Sequence, residues 1–525
     1  MRTLGPLGSR TALPLVLLAL AGCAAGAPAA APAPAARPAG APYAPEALRA
    51  QLSVIADDSM LGRATGTPGA RKAADYLVRE LQRMGVRPAG DDGTYLARVP
   101  LIRESTAIQA SARTPRGEAA LGRGDVILLS GLSDVPASPR PTGEGSVVFG
   151  GYLVDPTIRS SAELRPEQLR GAVLVLRYGA APGVTAQSTR FDLGQLWAPG
   201  SPLGALVLVN EGGMLQQAWD YLQGSAGSTL RLDTGAARPA GGGPPVFIVS
   251  AEAAERMVGE PLGREPKTGV GTFRWSLTDS SGPIDAWNVV GVLPGSDPAR
   301  AGEYVALGAH YDHVGISEPV NGDSINNGAD DDGSGTVAVL SIAQRYASLA
   351  PAQRPARSLL FVWHTGEEEG LLGSEWYGDH PTVPRDSIVA QINIDMIGRN
   401  SPDSVYLVGS RRISSQLGRM VEAANARQPR PIVLDYSFDT PGHPEQIYCR
   451  SDHYNYARHG IPVAFFTSGL HEDYHKPSDE IDKIDFGKLA RITGLVSDVV
   501  GDVANAPTRP VVDQPVPPLG TPCVQ

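Results

Sequence analysis

The chain has 525 residues, 42% of them hydrophobic and 19% charged, and a formal net charge of −10. That length exceeds one ordinary domain, and the composition describes a folded protein with a sizeable core, not a disordered or fibrous one. The acidic balance argues against nucleic acid as a partner.

Arg2 and Arg10 precede an apolar stretch from Ala12 to Leu20. The stretch is too short to span a bilayer and has the form of a secretory leader, residues 1–22. It ends in Leu20-Ala21-Gly22-Cys23, which resembles the bacterial lipobox. In such signals the leader is cut before the cysteine, whose thiol then carries lipid. The resemblance implies export and a lipid anchor at Cys23 in the bacterial cell envelope, facing the periplasm from the outer membrane if the source is Gram-negative. A leader with an incidental cysteine is the alternative. Residues 23–43 are rich in Ala and Pro and read as an extended tether. Cys449 and Cys523 are the remaining cysteines. An oxidising compartment permits a disulfide between them, and two free thiols fit the sequence equally well.

Residues 45–100 read as helical. Leu48, Leu52 and Ile55 recur at helix spacing, and Ala73, Leu77, Leu81 and Met84 share a face of a second helix that Gly85 stops. From about Thr114 to Gly282 short β-branched runs alternate with Gly and Pro, as in Ala172 to Leu176, Ala205 to Val209 and Pro245 to Val249. No His or Cys occurs there. This stretch, 111–284, is expected to form an inserted β-rich domain. Its runs resemble a protease-associated domain; a plain structural insert is the other reading.

From Ala286 strands alternate with helices. Strands are expected at Tyr304 to Leu307, Ser358 to Trp363, Ile388 to Ile394, Val405 to Val408 and Pro462 to Phe466. Helices are expected at Ser334 to Ala347, Gly370 to Tyr377, Ser414 to Ala426 and Phe486 to Val503. The alternation predicts an α/β fold, a mostly parallel mixed sheet sandwiched by helices. Its domain would combine 44–110 with 285–506. Residues 507–525 are Pro-rich and read as a loose tail.

All nine histidines lie between His310 and His475. The first follows a strand in Ala309-His310-Tyr311-Asp312, where the ring can bind metal and Asp312 can orient it. Gly328-Ala329-Asp330-Asp331-Asp332-Gly333-Ser334-Gly335 opens a helix. Its adjacent carboxylates repel one another unless a cation or solvent screens them. An EF-hand fails, since the twelfth position from Asp330 is Ser341 and not Glu. In His364-Thr365-Gly366-Glu367-Glu368 one acid can ligate metal while the other acts as general base. The strand at Ile388 delivers Asp395 at its end, where an unpaired carboxylate is costly. His471-Glu472-Asp473-Tyr474-His475 matches H-E-x-x-H formally, but that motif works only on a helix. Gly469 and Pro477 make this segment a loop, in which His475 can still be a ligand. Neither a G-x-S-x-G elbow nor a P-loop occurs. His with carboxylate in this proportion suits zinc.

As an ordered set, these motifs and the Tyr-His-Lys-Pro at Tyr474 resemble the M28 family of zinc peptidases. The resemblance implies the zinc-dependent exopeptidase fold and two Zn2+ ions. Asp331 would bridge them, with His310 and Asp395 on one and Glu368 and His475 on the other. It implies Glu367 as general base, Asp312 as the acid orienting His310, and Tyr448 as a stabiliser of the tetrahedral intermediate. It implies a peptide substrate and aminopeptidase activity. A carboxypeptidase or dipeptidase of the same family is an alternative, because Arg399 and Arg450 lie near ligand motifs and could meet a substrate carboxylate. A non-catalytic binding module on the same fold is another. Oligomeric state is not legible.

Overall fold

The computed structural model describes residues 43–129, 140–157, 166–185, 192–198, 200–212, 219, 228–235, 243–520 and 523. The leader, residues 23–42 of the tether and the anchor expected at Cys23 lie outside these residues. Among the described residues no helix is long and apolar enough to cross a membrane.

Two helices open the described chain. Pro45–Ile55 buries Leu48, Leu52 and Ile55. Pro68–Met84 starts where the Thr67 side chain accepts from the Ala70 N–H, and it ends at Gly85, whose φ of 70° suits a residue without Cβ. The helical reading stops there. Arg87–Pro88 and Leu96–Arg98 are short strands that pair with Trp287–Leu293.

The first sheet is mixed. Its centre runs Ser358–His364, Tyr304–His310, Ile388–Ile394 and Val463–Thr467, each parallel to its neighbour. Trp287–Leu293 flanks one side antiparallel, and Ser404–Val408 flanks the other. Three of the central strands, Ser358–His364, Ile388–Ile394 and Val463–Thr467, are buried along their whole length. Leu359, Phe361 and Trp363 enter one core, while Leu360 and Val362 enter the other. Burial on both faces explains the apolar run Leu359 to Trp363, while Ile388–Ile394 carries two buried amides, Gln391 donating to Asn393 at 3.0 Å. The helices Gly335–Ala347 and Phe486–Asn505 supply the larger core.

The chain leaves Tyr304–His310 for the neighbour at Ser358 and then crosses back to Ile388 on the other side. Open sheets of this kind form crevices outside the carboxyl ends of their strands at such a switch. His310, His364 and Asp395 stand at those ends.

The second sheet contains a parallel centre of Thr142–Val154, Val173–Ala180, Ala205–Asn210 and Val246–Ser250. It too is covered on both faces, by Val147, Phe149 and Val175 in one cluster and Val148, Leu174 and Leu206 in another. Its entry and exit strands, Leu101–Thr114 and Lys267–Ile284, pair antiparallel from Leu101↔Ile284 to Arg113↔Thr272. The entry strand therefore runs through the expected boundary at 111. Strand alternation on a long ribbon carries no apolar break that would mark the crossing.

The C-terminal segment differs from the loose tail expected. Arg509 pairs with Glu303 at 2.7 Å, the Val511 N–H donates to Gln416, and the Ser415 N–H donates to Asp513. Cys523 is disulfide-bonded to Cys449, with Cα atoms 5.7 Å apart. Backbone donors and one covalent bond hold a segment whose prolines suggest no structure.

Candidate metal centre and active site

Asp331 stands at the centre of the site. Its Oδ1 lies 3.3 Å from His310 Nε2, and its Oδ2 lies 3.2 Å from His475 Nε2. One carboxylate thus faces two histidines, one on each side. On the His310 side, Asp395 Oδ1 is 3.6 Å and Glu367 Oε2 is 3.9 Å from the ring nitrogen. On the His475 side, Glu368 Oε2 is at 2.9 Å. The five residues expected as ligands and the expected base therefore converge, although they span 166 positions of the chain from His310 to His475.

The neighbours of Asp331 explain how three adjacent aspartates coexist. Asp332 accepts from the N–H groups of His310, Gly335 and Met396. Asp330 accepts from the Gly398 N–H at 2.6 Å. The middle carboxylate alone faces both His310 and His475, whereas Asp330 Oδ2 lies 3.5 Å from His471 Nε2. Asp479 fixes this turn from outside, accepting from the N–H groups of Asp330 and Asp331 at 3.0 and 3.1 Å.

Asp395 is held by the Ser451 hydroxyl at 2.8 Å, which in turn receives Asn393 Nδ2 at 2.9 Å. For Asp312 the expected orienting contact takes a different form. His310 Nδ1 is 3.1 Å from the Asp312 backbone oxygen, whereas the Asp312 carboxylate lies at 3.8 Å. That carboxylate accepts instead from the Thr65 hydroxyl at 2.8 Å and the Glu367 N–H at 3.3 Å. Tyr448 is not brought to the cavity. Its ring packs 4.3 Å from the Arg412 guanidinium and edge-on to His453. In the turn Ile447–Cys449 it is Ile447 that lines the cavity, with Arg450 and Tyr474. His471 to His475 forms turns, not a helix, so the H-E-x-x-H match is formal only.

Some site residues escaped the sequence reading. His313 Nδ1 lies 2.7 Å from Glu368 Oε1. Its signal was present, three residues after His310, but a second histidine in a loop has no distinctive spacing. Arg63 is wholly buried and donates to the backbone oxygens of Tyr311, Ile55, Asn327 and Gly328. Nothing local marks such an arginine, because its partners other than Ile55 lie some 250 residues away.

The electrostatics are those of a cation site. Burial disfavours a charged His475, yet Glu368 and Asp331 overcome it and raise its pKa to about 10. His310 is likewise raised well above its ordinary value against its burial, by Glu367 and Asp395. Burial first, then Glu368 and Asp395, pushes Glu367 well up. Glu368 falls to about 2 despite its burial and the repulsion of Asp331, because His475 and His313 hold its charged form. Asp331 Oδ2, Asp395 Oδ1 and His313 Nε2 are buried without a hydrogen-bond partner. Buried oxygens of this kind are costly unless a cation or proton meets them. Among the described residues, three overlapping sets place one donor atom per residue within 4.8 Å: His310, Glu367 and Glu368; His310, Asp332 and Asp395; His313, Asp331 and Glu368. The donor chemistry fits zinc.

Comparison with known proteins agrees with this geometry. Residues 288–500 match the family model of Peptidase family M28. A probable leucine aminopeptidase of Arthroderma benhamiae is 30% identical over 205 residues, 38% of this chain and 54% of that protein. Leucine aminopeptidase 1 of Trichophyton rubrum is 27% identical over 247 residues, 45% of this chain and 61% of that one. The chain spans little more than half the length of these curated relatives. Among solved structures, an aminopeptidase from Aneurinibacillus sp. strain AM-1 aligns with a TM-score of 0.56 at 17% identity, covering 91% of this chain and 97% of its own. A zinc aminopeptidase from Bacillus subtilis aligns at 0.54 and 16%, covering 90% and 99%. These structures share the fold, two large mixed sheets flanked by helices.

Proposed function

We propose that this protein is a di-zinc aminopeptidase that removes N-terminal residues from peptides. The observation that carries this reading is the Asp331 carboxylate, whose two oxygens face His310 and His475 from 3.3 and 3.2 Å. His310 and Asp395 would hold one zinc, Glu368 and His475 the other, and Asp331 both. Zinc held there supplies Lewis-acid chemistry, acidifying a water and polarising a peptide carbonyl. Glu367 lies beside the His310 group and carries a raised pKa, which suits a base that accepts a proton near neutral pH and returns it to the leaving amine. Thr65 and Asp312 keep the loops of Glu367 and His310 together through the Gly366 and Glu367 N–H groups. The names of the relatives support the N-terminal direction.

The second sheet, likened to a protease-associated domain, is read as a wall beside the site. Leu230 and Leu232 pack with Leu372 and Trp376 of the helix that follows the Glu367 loop. Cys23 is read as a lipid anchor, which mass spectrometry of the mature N-terminus checks.

The deciding experiment incubates protein that starts after Cys23 with zinc and one short peptide, either free, N-acetylated or C-amidated. Stepwise N-terminal loss blocked by acetylation alone establishes an aminopeptidase. Loss blocked by amidation makes it a carboxypeptidase, a reading that Arg450 in the cavity keeps open. Absence of any cleavage with two metals bound points to a binding module.

A further inference from the structure

The rim of the site carries a cation that this mechanism leaves unused. Asp331, Glu367 and Asp395, the expected ligands and base, form the floor of the cavity, and Met396, Ile447 and Phe465 give it apolar walls. Among the described residues that line it, Arg450 is the only cation. Its Nη2 donates to the Tyr474 hydroxyl at 3.5 Å, and its Nη1 pairs with Glu445 at 3.0 Å. The Arg450 and Glu445 side chains are 39% and 45% exposed, so water screens the pair and a ligand can displace it. Tyr474 stacks on His475 at 3.8 Å, which fixes the hydroxyl relative to the metal-site histidine. Arg399, the other arginine near the motifs, is closed off. It is 13% exposed and bound to Asp473 at 2.7 Å, with Asp479 at 3.8 Å.

A metal-binding floor below a cationic rim complements a peptide whose scissile carbonyl meets the floor and whose terminal carboxylate meets the rim. A short peptide bound for N-terminal cleavage has its ammonium on one side of the scissile bond and its terminal carboxylate on the other. Each residue of an extended chain adds about 3.3–3.6 Å, so only a chain of two or three residues ends close to the reacting bond. A guanidinium fork binds a carboxylate through two parallel hydrogen bonds, and the Tyr474 hydroxyl offers a third donor. We propose that Arg450, assisted by Tyr474, docks the C-terminal carboxylate of short peptides, so that di- and tripeptides with a free C-terminus are the preferred substrates. This rests on the aminopeptidase reading above.

The test uses the zinc-loaded chain and three substrates: Leu-Leu, Leu-Leu amide and Leu-Glu amide. The expected kcat/KM for Leu-Leu exceeds that for its amide about tenfold, the order of one charge-assisted contact. In Arg450→Gln that ratio falls towards one through KM, and Arg450→Lys restores part of it. A wild-type ratio near one overturns the proposal. So does an equal loss on acid and amide in Arg450→Gln, which would make Arg450 an oxyanion or packing residue. A preference for Leu-Glu amide over Leu-Leu amide as large as that for Leu-Leu also overturns it, since the carboxylate would then come from a side chain. If no substrate loses its N-terminal residue, the aminopeptidase reading fails separately. Calorimetric titration of Glu367→Gln with Leu-Leu and its amide still decides the rim. Tighter binding of the free acid, lost on adding Arg450→Gln, supports the dock, and equal binding overturns it.

Discussion

Three carboxylates in a row would repel one another in water, and at Asp330, Asp331 and Asp332 backbone N–H groups absorb the outer two. The division makes the middle residue irreplaceable in a way its neighbours are not. Asp331→Ala is expected to abolish paired zinc binding, leaving less than two metals per chain by elemental analysis. Glu367→Gln should keep both metals and lose turnover by about 10²–10⁴-fold, the usual worth of a general base. Equal activity in that variant would sink the base assignment. A pH dependence belongs to this scale too. In zinc-free protein the His475 pKa stands at about 10, above the ordinary value of a histidine, because Glu368 and Asp331 outweigh burial. Its contribution to stability is therefore complete below the unfolded pKa of about 6.5 and is lost as pH rises through about 10. The Tm difference between zinc-free wild type and His475→Gln should shrink across that window. A difference that grows with pH would contradict the ion pairing.

At the scale of elements, the site is a set of strand ends held by residues from outside the sheet. Arg63 ties the loop after Tyr304–His310 to the loop of Asp331 through backbone oxygens. Arg63→Met would strand these buried oxygens and unscreen Asp331, Asp332 and Asp312. The expected cost is on the order of 3–5 kcal/mol, read as a fall in the denaturant midpoint of zinc-free protein. An unchanged midpoint would show that the carbonyls find other partners. The same division explains what was legible. Strands such as Ile388–Ile394 and the helix Phe486–Asn505 announce themselves by local periodicity, and their following acids and histidines could be read as ligands. Arg63, Thr65, Asp479 and Ser451 act through tertiary contacts, and no window of sequence contains both partners. The Tyr448 expectation failed for a related reason. In a tight turn one residue decides which side chain faces the cavity, and spacing to Ser451 does not encode it. The Pro-rich tail misled because its anchors, Glu303, Gln416 and Cys449, lie far away in the chain.

At the scale of the molecule, the excursion between the two sheets begins and ends on neighbouring strands. Replacing 101–284 by a short turn is expected to leave the first sheet and its helices as a domain that folds and binds metal, measured by circular dichroism and zinc content. It should also lower Tm, since Leu372 and Trp376 lose their apolar cover from Leu230 and Leu232. Failure to fold would show that the second sheet is part of the domain and not an addition to it.

The ribbon Leu101–Thr114 with Lys267–Ile284 also bears on the order of events in folding. Arg63 and Thr65 precede the excursion, while Tyr311, Gly328 and Gly366 follow it. Closing a contact across so long a flexible segment is entropically costly and slow. Once the ribbon zips from Arg113↔Thr272 to Leu101↔Ile284, the two halves emerge side by side, and the effective loop between Thr65 and Gly366 shortens by the whole excursion. A second sheet that closes first would thus act as a clamp in time, bringing together the two distant stretches of chain from which the candidate site is assembled.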